Sequence, residues 1–166
     1  MKHAFVIVSF FFFFLGYSGV IRITNPANSG TATLREAVEA TANNGDTIVI
    51  EVKGDIVLDS PVLFDGFSNL TLIGPTAKHS SVKASGGFLG TTLFQVSNCG
   101  TMKFLHLGFI GTGSANVRAV TVQNSPGTIT FERSLFKGFI STSLGGALNG
   151  TNSTLRINGC SFVGNA

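Results

Sequence analysis

Three stretches of this chain fall on one another at a nearly constant offset. Met102-Lys103-Phe104, Ile129-Thr130-Phe131 and Leu155-Arg156-Ile157 are separated by 27 and then 26 residues. The register persists beyond them: Leu107, Ser134 and Cys160 align, then Phe109, Phe136 and Phe162, then Gly111, Gly138 and Gly164. A looser copy sits at Leu70-Thr71-Leu72 with Gly74 after it, and short β-forming segments at 94–96, 119–122 and 147–148 precede the copies. A unit of this length holding two or three short strands cannot bury its apolar face alone, and stacking the units does so. Rungs then lie about 4.8 Å apart, the spacing of hydrogen-bonded strands, and equivalent side chains pile into columns. The pattern predicts an all-β chain, a right-handed parallel β-helix of about five rungs. Its stacked core is expected to hold Phe104, Phe109, Phe131, Phe136, Ile157 and Phe162. A β-sandwich has no reason to keep a constant offset across three copies. Composition agrees, with 16 Phe, no Trp, four Pro and 21 Gly in 166 residues.

The N-terminal part is different. Met1, Lys2 and His3 precede an unbroken apolar run from Ala4 to Leu15 and then small residues, so 1–19 reads as a secretory signal peptide, too short to span a membrane as a helix. Residues 20–46 read as a cap containing one amphipathic helix over 33–42. Thr33 stands at its N-cap, Glu36 three residues on, and Leu34 and Val38 on its apolar face. Such a helix suits the open upper end of a solenoid. Residues 47–166 read as rungs, broken off after the last motif, so that the final edge is open to edge-to-edge self-association. Export makes a Cys99–Cys160 disulfide chemically possible, whereas the repeat register favours two separate buried thiols.

Charge is distributed unevenly. Up to residue 65 four basic residues (Lys2, Arg22, Arg35, Lys53) stand against seven acidic ones (Glu36, Glu39, Asp46, Glu51, Asp55, Asp59, Asp65), a balance of −3. Beyond it seven basic residues (Lys78, Lys83, Lys103, Arg118, Arg133, Lys137, Arg156) stand against Glu132 alone, a balance of +6. Glycoside hydrolysis generally needs two carboxyl groups about 5–10 Å apart, and calcium needs several oxygen ligands. The rungs beyond residue 65 supply neither, and Asp55, Asp59 and Asp65 are spaced like polar turn residues. No cofactor or metal site is implied. Lys103 and Arg156 align, as do His106 and Arg133, which suggests a basic stripe able to attract anionic glycans; solvated outer-face charge is the plainer alternative. No aromatic platform for nucleic acid accompanies it. Asn69, Asn149 and Asn152 open glycosylation sequons, which matter in a eukaryotic host.

Thr33-Leu34-Arg35-Glu36-Ala37, followed by Asn43-Asn44-Gly45-Asp46-Thr47-Ile48, resembles the CSLREA segment that opens many secreted right-handed β-helix proteins. Gly145-Gly146-Ala147-Leu148 with Phe162-Val163-Gly164-Asn165 is similar to the GGA and FxxN repeat of polymorphic outer-membrane proteins, an adhesin family of autotransporter type. Ala32 stands where the first motif usually has Cys, and Thr112 and Phe139 stand at the Asn position of the earlier repeats. The resemblance implies a pectin-lyase-like β-helix, secreted or displayed at a cell surface (the outer membrane in a bacterium), non-catalytic, with surface glycans or proteins as partners. The same superfamily contains polysaccharide lyases and glycoside hydrolases. The alternatives are therefore a fragment of such an enzyme with its catalytic rungs beyond residue 166, or an anionic-glycan-binding module.

Overall fold

The computed structural model describes residues 19–166 apart from 42–44, 53, 75–79, 113–115 and 143–144. The expected signal peptide thus lies outside the described residues, Gly19 excepted. Strand β1 (Val20–Ile23) and helix α1 (Leu34–Ala40) precede a first full turn of β2 (Asp46–Ile50), β3 (Gly54–Leu58) and β4 (Val62–Asp65). The second turn is β5 (Asn69–Ile73), β6 (Ser80–Ala84) and β7 (Thr92–Ser97), and the third β8 (Thr101–Leu105), β9 (Gly108–Ile110) and β10 (Arg118–Gln123). The fourth is β11 (Thr128–Glu132), β12 (Leu135–Lys137) and β13 (Leu148–Thr151), and β14 (Thr154–Asn158) and β15 (Ser161–Val163) belong to a fifth. Equivalent strands pair in parallel into sheet A (β1-β2-β5-β8-β11-β14), sheet B (β3-β6-β9-β12-β15) and sheet C (β4-β7-β10-β13). The chain is a parallel β-helix of about five turns.

Alternation along each strand selects the core. In β11 Ile129 and Phe131 are buried while Thr128, Thr130 and Glu132 face outward. Phe104 stacks on Phe131 with centroids 5.0 Å apart and 11° between planes, Phe109 on Phe136 at 5.0 Å and 6°, and Phe136 on Phe162 at 4.9 Å and 10°. These separations follow from the strand spacing itself, because identical rings on paired strands have no other place to go. Phe104, Phe109, Phe131 and Phe136 are fully buried. Ile157 and Phe162, expected beside them, are 47% and 48% exposed. They occupy the core register, paired with Phe131 and Phe136, but no described strand lies beneath β14 and β15 to cover them.

The upper end is closed by α1, which packs on β1, β2 and β4 and buries Leu34, Ala37 and Val38. The helix is shorter than the expected 33–42. Thr33 remains extended at φ −89°, ψ 165° while its hydroxyl accepts the Glu36 N–H, and Thr41 has left the helix at ψ 123°. Glu36 reaches back past the N-cap to accept the N–H of the residue before it, Ala32, so its carboxylate ties the entering chain to the first helical turn. Arg35 fastens the cap to the first turn. Its guanidinium donates to Pro61 O at 2.8 Å, Ser60 O at 2.9 Å, Ser60 Oγ at 3.1 Å and both oxygens of Asn28. Every residue of the Thr-Leu-Arg-Glu-Ala segment therefore has a capping role. β1 adds a strand above β2, so sheet A begins at Val20, within the segment 20–46 read as the cap.

Candidate glycan-binding face

On the third, fourth and fifth turns sheets A and B meet at two-residue corners, and the register across them decides which side chains share a surface. On the outer side of sheet A one column runs Thr47, Thr71, Lys103, Thr130, Arg156. On the outer side of sheet B another runs Val57, Lys83, Ile110, Lys137, Val163. Between them His106 and Arg133 occupy the first corner position on successive turns, at φ 57° and 49°, and Gly159 holds the next at φ 59°. Asn, Asp and Gly usually fill this left-handed region, yet a backbone ladder holds both residues there: the His106 N–H donates to Glu132 O and the Arg133 N–H to Asn158 O, each at 2.9 Å. The second corner position faces inward. Ser134 Oγ accepts the Leu107 N–H at 3.2 Å and donates to Glu132 O at 3.1 Å.

All four residues expected to form the basic stripe, Lys103, His106, Arg133 and Arg156, thus lie on sheet A or at its corner with sheet B. Lys103 and Arg156 are exposed, and neither has an ion-pair or hydrogen-bond partner among the described residues. Arg133 is exposed with its Nε 3.7 Å from Glu132 Oε1, and His106 is half-buried. Sequence reasoning missed Lys137, which is exposed, likewise unpartnered among the described residues, and continues the surface onto sheet B. Its signal was available, since Lys137 follows Phe136 as Ile110 follows Phe109 and Val163 follows Phe162.

The carboxylates are mostly engaged in holding the helix together. Asp46 Oδ1 accepts the Gly19 N–H at 2.7 Å, Glu51 pairs with Arg22, and Asp65 accepts from Asn98 Nδ2 at 2.9 Å. Asp55 accepts from Lys83 and from Ser81, which together hold its carboxyl below the usual carboxylate range. No group of three His, Cys, Asp or Glu side chains able to hold a metal ion gathers among the described residues.

Two further expectations concern side chains away from this face. Both cysteines are free, and they occupy different corners. Cys99 is buried between sheets C and A, where burial pushes its thiol pKa up; Cys160 aligns with Ser134 between sheets A and B. Of the sequon residues, Asn69 is exposed at the start of β5 and Asn149 is half-buried on β13. Asn152 is exposed at a left-handed corner, donating to Asn124 Oδ1 at 3.1 Å. No family model, curated protein or solved structure matches this chain.

Proposed function

We propose that this chain is a secreted or cell-surface β-helix module, pectin-lyase-like in its broad lineage and adhesin-like in its use, that binds through its flat sides and performs no chemistry. The observation that carries this reading is the engagement of its carboxylates. Six of the eight in the chain (Glu36, Asp46, Glu51, Asp55, Asp65 and Glu132) contact backbone or side-chain amides, hydroxyls or basic side chains that cap the fold, cross-link its turns or neighbour them in the chain. A lyase or hydrolase needs carboxylates, or a cation held by them, aimed into a substrate cleft. The test uses cells that make the protein. Display predicts that the full chain stays with intact cells and is removed by external protease, and that a panel of acidic polysaccharides yields no unsaturated oligosaccharides. Free solubility in the medium together with turnover would overturn the reading.

A second reading, anionic-glycan binding, is favoured by the uncommitted Lys103, Lys137 and Arg156 on neighbouring faces. Such a surface raises the local concentration of an acidic polymer. Its binding should weaken as salt rises.

A further inference from the structure

The three glycosylation sequons are scattered in the sequence but gathered by the fold. At the corner from sheet C to sheet A, Gly66, Asn98, Asn124 and Asn152 hold the first position on successive turns, at φ 72°, 55°, 48° and 50°. Backbone bonds fix them there: the Gly66 N–H donates to Ser97 O at 3.1 Å, the Asn98 N–H to Gln123 O at 3.2 Å and the Asn124 N–H to Thr151 O at 3.0 Å. Of these corner asparagines only Asn152 has a hydroxyl residue two places on, Thr154, whereas Asn98 has Gly100 there and Asn124 has Pro126. Asn69 stands three residues after Gly66, and Asn149 three before Asn152. All three sequons therefore lie along one edge of the helix.

Their surroundings differ. Asn69 and Asn152 are exposed. The Asn152 side-chain amide has two N–H groups, of which the bond to Asn124 Oδ1 uses one. Asn149 is half-buried, and Gly145 packs over it so closely that a Cβ on Gly145 would stand 3.1 Å from the Asn149 Cβ. We infer that, in the lumen of a eukaryotic secretory pathway, Asn69 and Asn152 carry N-linked glycans while Asn149 stays bare. The inference rests on the secreted reading above. The donor is a lipid-linked oligosaccharyl pyrophosphate. Its sugar C1–O bond breaks, a C1–N bond forms to the asparagine Nδ2, and the lipid pyrophosphate departs as the amide gives up one proton. Asn152 keeps its second N–H, and with it the bond to Asn124. A glycan on Asn149, being bulky, would hold Gly145 off β13, so a chain modified there does not complete its fourth turn.

The test translates the full chain in the presence of rough microsomes. Protection from added protease reports translocation. Glycans are then released by peptide N-glycosidase in heavy-oxygen water, which converts each modified asparagine to a labelled aspartate that mass spectrometry locates. Label is expected at Asn69 and Asn152 and not at Asn149. Asn152→Gln and Thr154→Ala should each leave a single glycan, on Asn69, with Asn149 still bare although its neighbour no longer competes. Asn149→Gln should leave both glycans in place. Label at Asn149, or a protected chain without label at either Asn69 or Asn152, would overturn the assignment while leaving the secreted reading intact. A chain that stays outside the vesicles and open to protease would overturn both, because its asparagines then never meet the lumenal transferase.

Discussion

Asn165 completes the backbone of Phe139 from one turn below. Its Oδ1 accepts the Phe139 N–H at 2.9 Å while its Nδ2 donates to Phe136 O, also at 2.9 Å. Phe139 is buried, so its amide has no ready access to water. Removing the side chain leaves that donor unmet, and Asn165→Ala is expected to destabilise the fold by about 1–3 kcal/mol. Urea denaturation of the two proteins measures the difference. A loss below a few tenths would mean that water replaces the amide.

The Phe columns predict unequal effects from chemically identical substitutions. Phe131→Ala empties a fully buried site and should cost about 3–5 kcal/mol. Phe162 stacks equally well but is 48% exposed, so Phe162→Ala should cost about half as much or less, in proportion to the area it buries. Equal losses by thermal or urea unfolding would show that the fifth turn is covered in solution.

The cap is predicted to fail locally before the solenoid does. Thr33→Ala removes the helix N-cap and should destabilise by about 0.5–2 kcal/mol. Arg35→Lys retains the charge but cannot reproduce the fork that reaches Ser60, Pro61 and Asn28 together. Limited proteolysis should then cut near residues 24–41 while the rungs beyond residue 100 stay intact. Uniform degradation would mean that cap and rungs unfold as one unit.

Asp55 sets an acid limit. Its folded-state pKa lies below its unfolded one, chiefly through the hydrogen bonds from Lys83 and Ser81. Its contribution is therefore fully present above the unfolded carboxylate range, about 4, and is lost as pH falls through the lower folded value. The pair is partly exposed, so the effect is modest. Asp55→Asn should reduce stability at pH 7 and flatten its decline between about pH 5 and 2. An unchanged acid-unfolding profile would assign that decline to other carboxylates.

Much of this architecture was legible because a solenoid repeats its own evidence. The alignment of Phe109, Phe136 and Phe162 in sequence became their alignment in space, and Thr33 caps the helix through the Glu36 N–H as their spacing implied. The copy at Leu70 was harder to align because it lies 32 residues before its partner Met102, and the longer connection at 74–79 together with the longer strand β6 absorbs the difference. Exposure of Ile157 and Phe162 was not legible. Their sequence positions are those of core residues, and burial depends on a neighbouring turn that local pattern does not report. The basic face was half legible. Lys103 and Arg156 lie in the aligned triplets, whereas Lys137 belongs to another sheet and joins them only across the corner.

The link between turn number and column position also ties the pattern of surface charge to gene length. Each turn of the repeat is one removable unit of sequence, so excising the unit that holds Thr130 would bring Lys103 directly above Arg156 and turn an alternating column into a continuous one. Duplicating that unit would instead part the two cations by a further neutral place. Copy number in such a chain thus sets the spacing of its surface charges, altered by recombination between repeats without a single amino-acid replacement.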